Sequence, residues 1–284
     1  MKTRHFIGWF LTPAVLVAIG FAAVMFANLQ YGLREHIPGS LDVGGFTFEN
    51  FTAIVSNTIY AKVFADTVII CFFTALFSLL LGYPLAYALV SSQKRWVKSA
   101  ILIISITPLF LGEVVRTYSW ILVLGNSGFI SSALIWLGII DRPLQLMFTM
   151  QGVIVALVHV TLPIVVVMLA VAIAHIDQDY KKAAASLGAG PARVFLTVTL
   201  PLSIPGILAG TLTAFATTFS AFATPSVIGG GQINMVSNLV YQLGLASFNF
   251  PFAASLSLSS LILILLLVGA VGRASKSVER LAEH

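Results

Sequence analysis

Apolar positions in this chain come in long, almost unbroken runs. They show neither the spacing of an amphipathic helix nor the alternation of a half-buried strand. Six runs reach the ~20 mostly apolar residues that a helix needs to cross a bilayer: roughly residues 7–28, 67–90, 99–123, 152–174, 205–228 and 252–272. The pattern predicts an all-α polytopic membrane protein, with six transmembrane helices in one transmembrane domain over residues 1–284. The first run follows Lys2, Arg4 and His5. Its apolar part exceeds the ~7–15 residues of a signal h-region, so it reads as a retained span.

The breaks between runs differ in character. Residues 30–65 form a long external loop mixing Gly, Pro, acids and aromatics, part of which is expected to fold against the spans. Residues 125–151 contain "GFISSALIWLGI", which suits a short interfacial helix, and 229–251 open on three glycines and carry no charge. Residues 177–204 are small, basic at the front and punctuated by Gly and Pro.

Composition agrees with the pattern. Charged residues make up 9% of the 284 positions, against ~25% in soluble domains. Eleven of the fifteen Lys and Arg residues fall on one side of a six-span arrangement: Lys2, Arg4, Lys94, Arg95, Lys98, Lys181, Lys182, Arg193, Arg273, Lys276 and Arg280. The other side holds Arg34, Lys62 and Arg142 among five acids. The positive-inside rule places both termini in the cytoplasm. The net charge of +5 is therefore a topology signal, which argues against a nucleic-acid partner. The lone Cys71 lies in an apolar run and reads as a packing residue.

The 177–204 segment predicts a helix–turn–helix elbow. Asp177 or Asp179 can cap a first helix, Gly188 suits the left-handed position that ends it, and Pro191 suits the first turn of a second. Val194, Phe195 and Val198 share one face of that second helix. Pro201 stops or bends it, and Ser203 can cap the next helix, with Pro205 near its first position. Such a segment is either an interfacial connector or a docking surface, in which Ala183, Ala184 and Ala185 let the helix lie deep in a partner's groove.

The run from Lys182 to Gly206, "KAAASLGAGPARVFLTVTLPLSIPG", resembles the EAA signature of ABC importer permeases. Ala183, Ala184, Leu187, Gly188, Ala189, Leu200, Pro201, Pro205 and Gly206 match, while Lys182 stands where that family usually has Glu. "GYPLAYAL" (Gly82–Leu89), "TPLFLGEVVRTYSW" (Thr107–Trp120) and "RPLQLMFTMQGVIVALVHVTLP" (Arg142–Pro163) look like the spermidine/putrescine branch. The resemblance implies a type I ABC importer permease fold in a bacterial inner membrane. It implies a coupling helix carried by Lys182, Ala183, Ala184, Leu187, Gly188 and Ala189. It also implies two copies of an ABC ATPase holding ATP and Mg, a second permease subunit and an external solute-binding protein, with a polyamine as solute. An opine, a phosphonate or an amino-acid derivative is the alternative solute. The chain has no Gly-Lys pair and so no P-loop; no cofactor is expected on it.

Candidate pathway residues follow from polarity inside the spans. Glu113 and Arg116 lie at i, i+3 and form either a charge-compensated pair or a gate element. His159 reads as a polar contact to a neighbouring helix. The fifth span, "PGILAGTLTAFATTFSAFATP", pairs Gly206 with Gly210 for close helix approach and carries Thr and Ser all round. Tyr118, Phe219, Phe222 and Thr224 complete the candidate set, with Phe215, Phe219 and Phe222 either packing aromatics or a cation-contacting wall. Two rival classes find little support. An ion-coupled secondary transporter would show inverted repeats or midplane acids. An intramembrane enzyme would show paired carboxylates or a His cluster.

Overall fold

A computed structural model describes the backbone of residues 2–282 and the side chains of residues 11–273. The charges of Lys2, Arg4, Lys276 and Arg280, together with His5, lie outside the described side chains. The chain divides into two compact units, one of residues 1–62 and 238–263, the other of 63–237 and 264–284. Among the described residues, five helical runs are long and apolar enough to cross a membrane, or six if one bent pair counts as a single span.

In the first unit, α1 (Lys2–Gly32) exposes Leu16, Val17 and Phe21 along its length, as a helix surrounded by hydrocarbon can. The loop that follows α1 is structured. Strands β1 (Arg34–His36) and β2 (Val43–Phe46) pair antiparallel, and the Arg34 guanidinium lies 5.3 Å from the Phe46 ring centroid. Helix α2 (Glu49–Ser56) ties the loop back. Asn50 Nδ2 donates to the carbonyls of Gly32 and Arg34 at 3.0 and 2.8 Å.

The second unit is built around α7. Before it come α3 (Thr58–Ser91), α4 (Arg95–Phe110), α5 (Glu113–Leu124) and the short α6 (Phe129–Trp136). The segment "GFISSALIWLGI" holds α6, which together with α5 makes one apolar stretch, Glu113–Trp136, long enough to cross a membrane, rather than the separate interfacial helix expected. The second span begins well before residue 67, because Asn57 accepts from the Ile59 N–H at 2.9 Å and starts α3 early. Helix α7 (Met150–Ala174) is the most enclosed span. Just over half of its apolar window (56%) is buried, against 33% for α3, so α7 is the post on which the others pack. Val165, Val166, Leu169 and Ile173 of α7 form a core with Ala75 and Ala86 of α3 and Ala214. Small residues let helix backbones approach where lipid removes the hydrophobic drive to associate. Cys71 is buried, as a packing residue should be.

The third run is not one helix. It breaks at Leu111–Gly112, where both residues are extended (ψ 128° and 144°). Pro108 has no N–H to give, and its ring crowds the carbonyl four residues back, so the last turn of α4 is weak. The fifth run is preceded by a sharp bend and is itself broken once. After α8 (Gln178–Ser186) come α9 (Pro191–Val194), a π-helical turn at Phe195–Thr199, and α10 (Leu200–Leu202). The chain then bends by 62° at Ser203 into α11 (Ile204–Phe219). The break within the run is at Ser220–Phe222, before α12 (Ala223–Ile228). A helix continuing from α11 would lose a backbone bond and meet the ring at Pro225, as at Pro108. Helices α13 (Val236–Tyr241) and α14 (Phe250–Ala282) complete the chain.

Candidate coupling elbow and translocation face

The elbow forms from local signals. Asp177 is the N-cap of α8, its carboxylate accepting from the Asp179 N–H at 2.9 Å. At the other end Gly188 has φ +83°. Its N–H donates to the Ala185 carbonyl at 2.9 Å, and the Ala189 N–H donates to the Ala184 carbonyl at 3.1 Å. That bond pair is a Schellman motif, and it requires the left-handed residue that glycine supplies. Pro191 then opens α9. No residue of α8 is buried, and Leu187 is 89% exposed. Lys182, Ala183, Leu187 and Gly188 are exposed, while Ala184 and Ala189 are partly covered. Lys182 forms an ion pair with Asp179 at 2.8 Å, both side chains being about three-quarters exposed.

The expected face of the second helix is present: Val194, Phe195 and Val198 are its partly buried positions. Ser203 does not cap α11. Its hydroxyl donates back to the Leu200 carbonyl at 2.9 Å, because residue 203 has helical backbone angles (φ −90°, ψ −1°) rather than the extended ones of an N-cap.

The glycine pair on α11 acts as its spacing implies. A Cβ on Gly206 would collide with the Ala172 methyl of α7, whereas one on Gly210 would meet Val165 and Met168 at ordinary contact distances, 3.6–3.8 Å. Polarity around α11 is partly self-satisfied. Thr213 donates to the Ala209 carbonyl at 2.7 Å and Ser220 to that of Thr217 at 3.1 Å.

The candidate pathway residues separate into two groups. Thr117 and Thr224 meet with hydroxyls 3.3 Å apart, both buried, joining α5 to α12. Phe219 is buried and stacks on Phe215 at 6.3 Å. Phe222 occupies the break after α11 and is 37% exposed. Glu113 and Tyr118 are exposed. Glu113 and Arg116 do not pair. Arg116 instead donates to the Pro108 carbonyl at 3.0 Å, an acceptor freed by the break at Leu111–Gly112. Unpaired backbone carbonyls are costly at membrane depth, and the guanidinium reaches one from the first turn of the next helix. His159 makes no hydrogen bond through its buried Nδ1 among the described residues. It contacts α5 through the Trp120 ring, edge-on at 5.4 Å.

Four participants escaped the sequence reading. Thr117 and Trp120 carry no local mark of their partners. Tyr83 and Tyr87 do carry one, since their i, i+4 spacing puts two aromatics on one helix face.

Residues 78–279 match the family described as binding-protein-dependent transport system inner membrane component. The chain belongs to that family: it is an ABC importer permease, a transport subunit rather than an enzyme, and a multi-pass protein of the inner membrane. Among its relatives, the spermidine/putrescine transport system permease protein PotB of Escherichia coli (strain K12) is 30% identical over 238 residues, covering 84% of this chain and 86% of PotB. The molybdenum transport system permease protein ModB of Mycobacterium bovis is 34% identical over 194 residues, 68% of this chain and 71% of ModB. Solved structures show the same fold. A chain of a bacterial alginate ABC transporter, crystallised with an alginate pentasaccharide-bound periplasmic protein, superposes with TM-score 0.82 at 17% identity, covering 98% of this chain and 96% of its own. A chain of the MetNI methionine ABC transporter gives 0.58 at 18% identity, covering 77% and 95%. These likenesses confirm the type I permease fold.

Proposed function

We propose that this permease imports a polyamine, driven by a separate ABC ATPase that docks on the exposed elbow at the cytoplasmic face. The observation that carries the coupling role is the form of α8: capped by Asp177, closed by Gly188, and with no buried residue of its own. A helix shaped this well yet packed against so little of its own chain suits a partner's groove. The PotB likeness supports the polyamine. In this reading both termini are cytoplasmic, a second permease chain and two ATPase copies complete the membrane complex, and an external binding protein delivers the solute. ATP and Mg reside on the ATPase.

A second solute class has an observation in its favour. Arg116 is not neutralised by Glu113, and an unpaired guanidinium inside a span repels a polycation. A solute carrying an acidic group, such as an opine, a phosphonate or an amino-acid derivative, fits that charge better.

The test is Gly188→Asp. It places a side chain at φ +83° and a negative charge at the C-terminal end of α8, where the helix dipole disfavours it. The ATPase is expected to stop co-purifying while the permease still inserts. Normal co-purification would overturn the docking role. Mass spectrometry of the solute retained by the co-purified binding protein then decides between the polyamine and an acidic solute.

A further inference from the structure

The "GYPLAYAL" segment has no part in the docking surface, yet it holds the far side of the elbow. Phe195, at the start of the π-helical turn, lies between two tyrosines of α3. Its ring meets Tyr83 edge-on at 5.7 Å and Tyr87 edge-on at 5.2 Å. Edge-to-face pairs at such distances are favourable and directional. The Tyr83 hydroxyl also lies 2.8 Å from Ser203 Oγ. Ser203 spends its one proton on the Leu200 carbonyl, so Tyr83 is the donor. Ser203 is fully buried and sits at the 62° bend.

Two irregular backbone features meet at this contact. The π-helical turn Phe195–Thr199 has the wider hydrogen-bonding that recurs at functional sites. The bend at Ser203 follows Pro201 and precedes Pro205. Between them, the tyrosines fasten the segment to α3. That helix is itself locked to α7: a Cβ on Gly82 would come within 3.1 Å of Val165 Cγ1, and Ala75 and Ala86 share a core with Val165, Val166, Leu169 and Ile173. Ala214 of α11 joins the same core.

We propose that Tyr83 and Tyr87 are positioning residues for energy coupling: with Phe195 and Ser203 they form the joint through which displacement of the elbow moves α3 and the packed pair α7–α11. Phe195 is the lever, held on two sides by rings. The Tyr83–Ser203 bond keeps the bend and α3 in register. This inference rests on the reading that an ATPase pushes on α8.

Tyr83→Phe is a clean probe. It removes the bond to Ser203 and keeps the ring on Phe195, and it leaves Ser203 with its Leu200 acceptor. The complex with its ATPase, second permease and co-purifying solute-loaded binding protein is reconstituted in proteoliposomes. ATP hydrolysis is measured with and without that binding protein. Tyr83→Phe and Ser203→Ala are each expected to keep the ATPase bound and to cut the binding-protein stimulation roughly five-fold, the ratio equivalent to one neutral hydrogen bond. The double variant is expected to be no worse than the worse single, since both lose the same bond. Phe195→Ala, which removes the lever, is expected to abolish stimulation with the ATPase still bound. Wild-type stimulation in Tyr83→Phe together with Phe195→Ala overturns the joint, as do independent additive losses in Tyr83→Phe and Ser203→Ala. The two levels fail separately. An ATPase that stays bound to Gly188→Asp refutes docking on the elbow. An ATPase lost from Gly188→Asp, with full stimulation in Tyr83→Phe and Phe195→Ala, refutes the joint alone.

Discussion

Gly206 and Gly210 belong to one G-x-x-x-G pair, yet alanine at the two positions should act in opposite directions. Both glycines lie in α11 and both face α7. Alanine favours a helix over glycine by ~0.8–1.0 kcal/mol at either site. At Gly210 the new methyl finds Val165 and Met168 at 3.6–3.8 Å, an ordinary contact, so Gly210→Ala should be neutral to stabilising. At Gly206 the methyl collides with the Ala172 Cβ, which is fixed to backbone and cannot swing aside. Such overpacking costs ~1–3 kcal/mol, which cancels or exceeds the helix gain. The two variants should differ by about that strain. At roughly 2–4 °C per kcal/mol for chains approaching this size, the gap in unfolding midpoint in detergent is several degrees, with Gly206→Ala the lower. The structure names the atom responsible, so it also names the rescue. Ala172→Gly removes the colliding methyl, so the double variant G206A/A172G should regain the strain less the ~0.8–1.0 kcal/mol that a glycine costs inside α7. The coupling in that cycle is expected at ~1–3 kcal/mol, within the range for residues in contact. Thermal unfolding of the four proteins, followed by tryptophan emission, measures it. A Gly206→Ala protein as stable as Gly210→Ala, or a cycle with no coupling, would refute the claim that α11 and α7 meet at this point.

The other predictions concern single polar contacts. Arg116→Met should lower the unfolding midpoint by a few degrees, because the Pro108 carbonyl at the α4–α5 break loses its donor at a cost of ~1–3 kcal/mol; Arg116→Lys, which can still reach a carbonyl, should lose less, and equal stability of Arg116→Met and wild type would remove the proposed role. Lys182→Ala should change stability by less than ~1 kcal/mol, since its pair with Asp179 is exposed, and should leave the ATPase bound, as docking rests on the shape of the elbow; loss of the ATPase in a pull-down would show that the charge matters. Ser78→Ala should destabilise by ~1 kcal/mol, the scale of interhelical hydrogen bonds in membranes. Its hydroxyl lies 2.6 Å from Thr161 Oγ1, and Thr161 keeps the Leu157 carbonyl as its own acceptor at 3.0 Å, so a loss well above that value would point to repacking of α3 on α7.

What the chain determined alone is what a few neighbouring residues can decide. A run of apolar residues is enough to require a span, because the bilayer leaves unsatisfied backbone nowhere to go. Asp177, Gly188 and Pro191 set the elbow through bonds and backbone angles within one helical turn. Gly206 and Gly210 announced a close approach by their spacing. The partners of these features were not legible in the same way. Tyr83 and Ser203 are 120 positions apart, and Thr117 and Thr224 are 107 apart; no periodicity links them, and only folding brings them together. The two breaks inside expected spans show the same division. Pro108 and Pro225 stood in view, but proline is tolerated within membrane helices when neighbours take up the freed groups. Whether a helix bends or stops depends on those neighbours. At Leu111–Gly112 the neighbour is Arg116, which satisfies the exposed carbonyl and so turns from the expected partner of Glu113 into the staple of a discontinuous span. Tertiary structure decided that exchange, because the break sets an unpaired backbone carbonyl 3.0 Å from the guanidinium, while the exposed Glu113 needs no partner inside the protein.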